Sequence, residues 1–121
     1  MSKERRRTTR IEIIQHVGGT IVPLRAHLRV KEMSLGGMLI ETNAELPPLG
    51  IHEFRLQLSD GAETLVRGHI VHGRFEVRHG GVMFTLGIEF SFLPMESVEV
   101  IRKFILEIKA DPFPTRSPAR P

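Results

Sequence analysis

Lys31-Glu32-Met33-Ser34-Leu35-Gly36-Gly37-Met38-Leu39-Ile40-Glu41 sets a polar turn with paired glycines between two runs of strand-like residues. Arg29-Val30 precedes it and Leu39-Ile40 follows, so Glu32 and Ser34 fall where one strand ends and the next begins. Two positions apart in an extended chain, their side chains point to the same side. Gly36-Gly37 permits positive backbone dihedrals and close approach of another group to the main chain. This is the expected floor of a ligand site, although a plain strand turn accounts for the same residues.

The start of the chain favours the ligand reading. Lys3 to Arg10 carries five basic groups against one acid, while the whole chain has a net charge of only +3. Residues 11 to 110 hold ten Lys/Arg and twelve Asp/Glu, so the excess of positive charge lies at the ends. A folded part without a basic face is a poor nucleic-acid binder. There is no Trp or Tyr for base stacking, and the Phe residues fall mostly on core-like alternating positions. The arginine cluster reads as a local anion clamp.

Taken together, Arg6-Arg7-Thr8-Thr9-Arg10 and Glu32-Met33-Ser34-Leu35-Gly36-Gly37 resemble the two motifs of the PilZ domain, a bacterial receptor module for the cyclic dinucleotide c-di-GMP. The family pattern is Arg-x-x-x-Arg before the first strand, then Asp/Asn-x-Ser-x-x-Gly. Glu32 departs from it, standing where the family has Asp or Asn. Leu86-Gly87-Ile88-Glu89-Phe90 is similar to the family's last strand, and a helix-like run follows where the family has one. The resemblance covers roughly residues 4 to 109. It implies an all-β fold with one C-terminal helix, a six-stranded antiparallel PilZ-type β-barrel. It also implies that Arg6, Arg7 and Arg10 wrap over c-di-GMP while Glu32, Ser34 and Gly37 face it from the barrel. Arginine suits that role, since its planar donors pair bidentately with phosphate and its face stacks on guanine. A domain of this type without nucleotide binding, acting as a protein-interaction adaptor, is the alternative.

The length of 121 residues suits one core. Three segments are expected: a flexible basic arm over 1–10, the barrel and helix over 11–110, and a disordered Pro-rich tail over 111–121. Ile11, Ile13 and Ile14 open a strand expected to end in a turn at Gly18-Gly19. Ile21 to Val30 reads as the second strand, with Pro23 marking an edge or bulge. Leu24, Ala26, Leu28 and Val30 alternate there with Arg25, His27, Arg29 and Lys31, the period of a sheet with one wet face. Phe54, Leu56 and Leu58 alternate likewise, and Asp60-Gly61 signals a hairpin. Leu65 to His72 is expected to be a strand, Arg74 to Gly81 a polar connection, and Val82 to Phe90 the last long strand. Many short strands favour closure, which removes edges.

Leu93-Pro94 should start a helix, because proline is tolerated in the first turn and Glu96 and Glu99 suit the positive end of the dipole. Met95, Val98, Ile101, Phe104, Ile105 and Ile108 form its apolar stripe, and Leu106 lies off it, where a homodimer contact is conceivable. With no cysteine there is neither disulfide nor thiolate metal site. His69 and His72, three apart in a strand, should lie on opposite faces, and no other histidine spacing suits a metal. No nucleophile elbow, Walker loop or dinucleotide fingerprint is present, so no enzyme and no cofactor are expected. With no signal-peptide core and no bilayer-spanning run, the expectation is a cytoplasmic protein without membrane insertion that signals to a protein partner.

Overall fold

A computed structural model of the chain describes residues 11–12, 17–22, 25–58 and 61–110, without the side chains of residues 11, 12 and 108–110. The expected arm with Arg6, Arg7 and Arg10, the tail, and Ile13, Ile14, Pro23, Leu24 and Asp60 lie outside the described residues, as do the side chains of Ile11 and Ile108. The elements are β1 (Ile11–Glu12), β2 (Gly18–Val22), β3 (Ala26–Met33), β4 (Gly37–Thr42), β5 (His52–Gln57), β6 (Glu63–Arg78), β7 (Gly81–Phe92) and α1 (Met95–Ala110).

Six of the strands close on themselves in the order β3-β2-β5-β6-β7-β4, with β4 returning to β3, and every pairing is antiparallel. Strand β1 pairs with the end of β3, Ile11 opposite Met33 and Glu12 opposite Glu32. Because β4 occupies the other edge of β3 at those rungs, β1 and β2 share one edge, and β1 adds no further stave. The result is a closed six-stranded barrel with one C-terminal helix.

Alternation fills the lumen. Ile21, Leu28, Val30, Met33, Met38, Ile40, Phe54, Leu56, Val66, Leu86 and Ile88 point inward and are buried, as a pleated sheet with one wet face dictates. Helix α1 packs against β6 and β1 and adds Ile101 and Phe104 to the same core. Its first turn is tied down by Ser97, whose hydroxyl donates to the Leu65 carbonyl (2.9 Å) and accepts from the Thr64 hydroxyl (2.9 Å). The Val98 amide reaches the Pro94 carbonyl at 3.0 Å, so Pro94 sits just ahead of the helix as its missing N–H permits.

Several expectations need correction. Gly18-Gly19 is no turn but the start of β2, where the Arg55 carbonyl of β5 lies so close to Gly19 that a Cβ would collide with it. The reversal falls inside the expected Ile21–Val30 strand, which is therefore split between β2 and β3: the Arg25 amide bonds the Ile21 carbonyl (2.7 Å) and Arg25 takes a φ of 60°. The Arg74–Gly81 segment is not a polar connection. Strand β6 runs to Arg78 and turns at His79-Gly80, with φ values of 23° and 77°, into β7. Main-chain pairing with β7 serves charged and apolar residues alike, so charge did not end the strand. Met95 is 72% exposed and not part of the helix stripe; Ser97 is the buried first-turn residue. The hairpin at Gly61 holds, with φ of 92° and the Leu58 amide bonded to the Ala62 carbonyl (2.8 Å).

Candidate ligand site

The Ser34 turn continues the β3–β4 ladder by one rung, with the Ser34 amide donating to the Gly37 carbonyl at 2.9 Å. The Ser34 side chain is 2% exposed, and its Oγ accepts from the Gly36 amide (3.0 Å). The hydroxyl thereby closes the turn from within. Neither Gly36 nor Gly37 uses the positive φ that glycine permits; among described glycines that belongs to Gly50, Gly61 and Gly80. Gly37 is required for the other reason. The Ile88 carbonyl of β7 rests against its Cα, where any Cβ would intrude.

A register shift between Val30 and Glu32 shapes the site. Strict alternation from Leu28 and Val30 would turn Glu32 into the lumen and Met33 out. The bulge instead leaves Lys31 and Glu32 successively on the outer wall and returns Met33, fully buried, to the core beside Met38. Glu32 and Ser34 therefore do share a face, as expected, and it is the outer one.

Across the neighbouring strands that face forms three rows set by register. Ser34 and Gly37 continue to Glu89 on β7 and His69 on β6; Glu32 continues to Leu39, Gly87 and His72; Arg29 continues to Glu41, Thr85 and Arg74. Neighbouring strands lie about 4.8 Å apart, so each row places four residues side by side. His69 and His72 share this face, contrary to the expectation of opposite ones, because a second register shift between Ile70 and His72 removes one step of the alternation. His69 Nε2 lies 3.3 Å from Glu89 Oε1, and the His72 ring rests on Gly87, filling the space of the missing side chain.

Electrostatically the wall is mixed. Glu41, its side chain 13% exposed, is approached by Lys31 Nζ at 3.5 Å, Arg78 Nη2 at 3.8 Å and Arg29 Nη1 at 3.9 Å. This cluster escaped sequence reasoning because its members come from three strands and meet only through register. His69, His72, Gly87 and Glu89 were missed likewise; the glycine within Leu86-Gly87-Ile88 was the one available signal. Of the candidate site residues, Glu32, Ser34 and Gly37 come together at one end of β3 and β4, whereas Arg6, Arg7 and Arg10 belong to the segment outside the described residues. The described backbone reaches the sheet at Ile11, directly opposite Met33. Among the described residues no group of His, Asp and Glu is placed to hold a metal ion, and no helix is long and apolar enough to cross a membrane.

A search of the curated proteins found no match. Among solved structures, the chain is similar to the PilZ domain with c-di-GMP of YcgR from Escherichia coli. The identity is 15% and the TM-score 0.68, covering 89% of this chain and 94% of that one, which is a likeness of fold. The family model for the PilZ domain matches residues 4–107, a span containing both motifs, the whole barrel and most of the helix. The chain belongs to the PilZ domain family.

Proposed function

We propose that this protein is a bacterial c-di-GMP receptor that binds the dinucleotide on the outer wall around Glu32, Ser34 and Gly37, closes Arg6, Arg7 and Arg10 over it, and passes the signal to a protein partner. The observation that carries this reading is the β1–β3 ladder. Ile11 opposite Met33 brings the chain that follows Arg10 to the end of β3 where the Ser34 turn begins. Two phosphodiesters need cationic forks, and the arginine segment is the chain's concentrated source of them. Charge-assisted hydrogen bonds contribute about 1.5 to 3 kcal/mol each, so three arginines suffice for most of a micromolar affinity of about 8 kcal/mol once ordering costs are met. The signal is then the ordered arm itself, presented with the helix to a partner, and the protein works by binding and not by catalysis.

A second reading has its own support. Glu32 and Glu89 place carboxylates in adjacent rows of the wall, and a dianionic ligand meets them with like charge. On this reading the domain does not bind the nucleotide and serves as an adaptor through protein contacts.

Calorimetric titration with c-di-GMP, with GTP and a linear dinucleotide as controls, separates the two. Selective saturable binding that is lost in Arg6→Ala is expected of the receptor. Absence of binding at high micromolar ligand overturns it in favour of the adaptor.

A further inference from the structure

The last rung between β5 and β6 joins His52 to Gly68, but β6 continues for ten more residues to Arg78. From Val71 to Arg78 one edge of the strand pairs with β7, and the other pairs with no strand among the described residues. Every residue of this segment is exposed. A free strand edge offers a row of main-chain donors and acceptors to another strand; folds blunt it with proline, charged side chains, a bulge or a covering element, and this edge carries the charges Arg74, Glu76 and Arg78 and begins at the Ile70–His72 register shift. Here there is no proline, and α1 packs at the other end of β6, where Ser97 meets Thr64 and Leu65.

Side chains along this edge sort by face. His72, Arg74, Glu76 and Arg78 lie on the outer one. Phe75 and Val77 lie on the other, opposite Phe84 and Val82, with the Phe75 and Phe84 rings 6.1 Å apart between centroids. Phe75 is 65% and Val77 74% exposed. Glu76 already holds Arg78 at 2.6 Å, whereas Arg74 has no acidic partner among the described residues.

We propose that the β6 edge from Val71 to Arg78 is a docking strand for a second copy of this chain, joined antiparallel about a two-fold axis through Phe75. The charge order selects that occupant. An axis at Phe75 sets each Arg74 opposite the second copy's Glu76, so one strand supplies both complements, as an isologous contact requires. The same axis pairs Phe75 with its own copy, Gly73 with Val77 and His72 with Arg78, so the favourable charge pairs are the two Arg74–Glu76 rungs. Opposite charges and aromatic pairs facing across an antiparallel rung are favourable, and like charges there are not. The joined ribbons make a four-stranded sheet from the two hairpins. The contact is small, below about 1,200 Å² in total, which places the dimer in the micromolar range or weaker. It leaves α1 uncovered and meets the outer wall at the far end of the Glu32 row, where His72 lies beside Gly87.

Sedimentation equilibrium of the full chain from about 1 to 300 μM at low salt tests it, because exposed ion pairs are screened as salt rises. A reversible dimer is expected, with exchange of the amides of residues 72–78 slowing as concentration rises. Glu76→Arg makes the edge wholly basic and should raise the dissociation constant at least about tenfold. Arg74→Glu with Arg78→Glu makes it wholly acidic and should do the same, while an equimolar mixture of the basic and acidic chains restores the dimer. That rescue excludes misfolding as the cause of either loss. A monomer throughout, a mixture that stays monomeric, or a dimer lost in Leu106→Glu but retained in Glu76→Arg overturns the proposal.

Discussion

Gly37 and Ser34 show how one turn joins a structural requirement to a proposed binding role in the same residues. The Ile88 carbonyl packs against Gly37 Cα, so Gly37→Ala should destabilise the barrel by about 2 kcal/mol, the range of overpacking in a closed core, read as a lower urea midpoint without ligand. Ligand assays on that variant report folding first. Glu32 is different, since the bulge sets its carboxylate on the outer wall, away from the core. Glu32→Asp withdraws the carboxylate by one bond of about 1.5 Å to the family's position. It should tighten c-di-GMP binding roughly tenfold by recovering one well-placed charge-assisted bond. Unchanged or weaker binding by calorimetry would show that Glu32 suits its own ligand pose. The motif itself was legible in the sequence because its residues are contiguous. The facing residues Gly87, Glu89, His69 and His72 were not, since only strand register brings them beside it.

At the scale of elements, alternation revealed the strands and failed wherever the phase slipped. Lys31-Glu32 and Val71-His72 each insert one residue, and both slips turn polar groups to the outer wall that strict counting sends elsewhere. The doublet Lys31-Glu32 between Val30 and Met33 was the visible trace of the first slip. Polarity misled at Arg74–Gly81, because main-chain pairing of β6 with β7 holds the ribbon without requiring apolar burial of β6. The helix was placed correctly but its anchor was misread. Met95 faces water, while Ser97 joins Thr64 and the Leu65 carbonyl inside the interface. Ser97→Ala should therefore cost about 1 to 2 kcal/mol by stranding the buried Thr64 hydroxyl and removing the bond to the Leu65 carbonyl, whereas Met95→Ala should stay within about 0.5 kcal/mol. Thermal unfolding of both variants checks the contrast, and equal losses would show that the hydroxyl link carries no stability.

For the whole molecule, closure of the barrel separates the core from the candidate site. Among the described residues the core runs from Val17 to Phe104, and the candidate site lies on the outside of the wall. A ligand there binds the folded chain and not the unfolded one, since Ser34, Gly37 and the facing β7 residues meet only through the closed sheet. By mass action, c-di-GMP at a hundred times its dissociation constant should raise the unfolding free energy by about 2.7 kcal/mol. For a domain of this size that is a rise in melting temperature on the order of 10 °C. If Arg10 is a phosphate fork of the proposed clamp, Arg10→Ala should leave the ligand-free melting temperature unchanged and abolish the rise. A scanning calorimetry series over ligand concentration checks both halves at once. A fall in the ligand-free melting temperature would place Arg10 in the fold and not in the clamp. A wild-type chain insensitive to the dinucleotide would transfer the function of this wall from nucleotide to protein recognition.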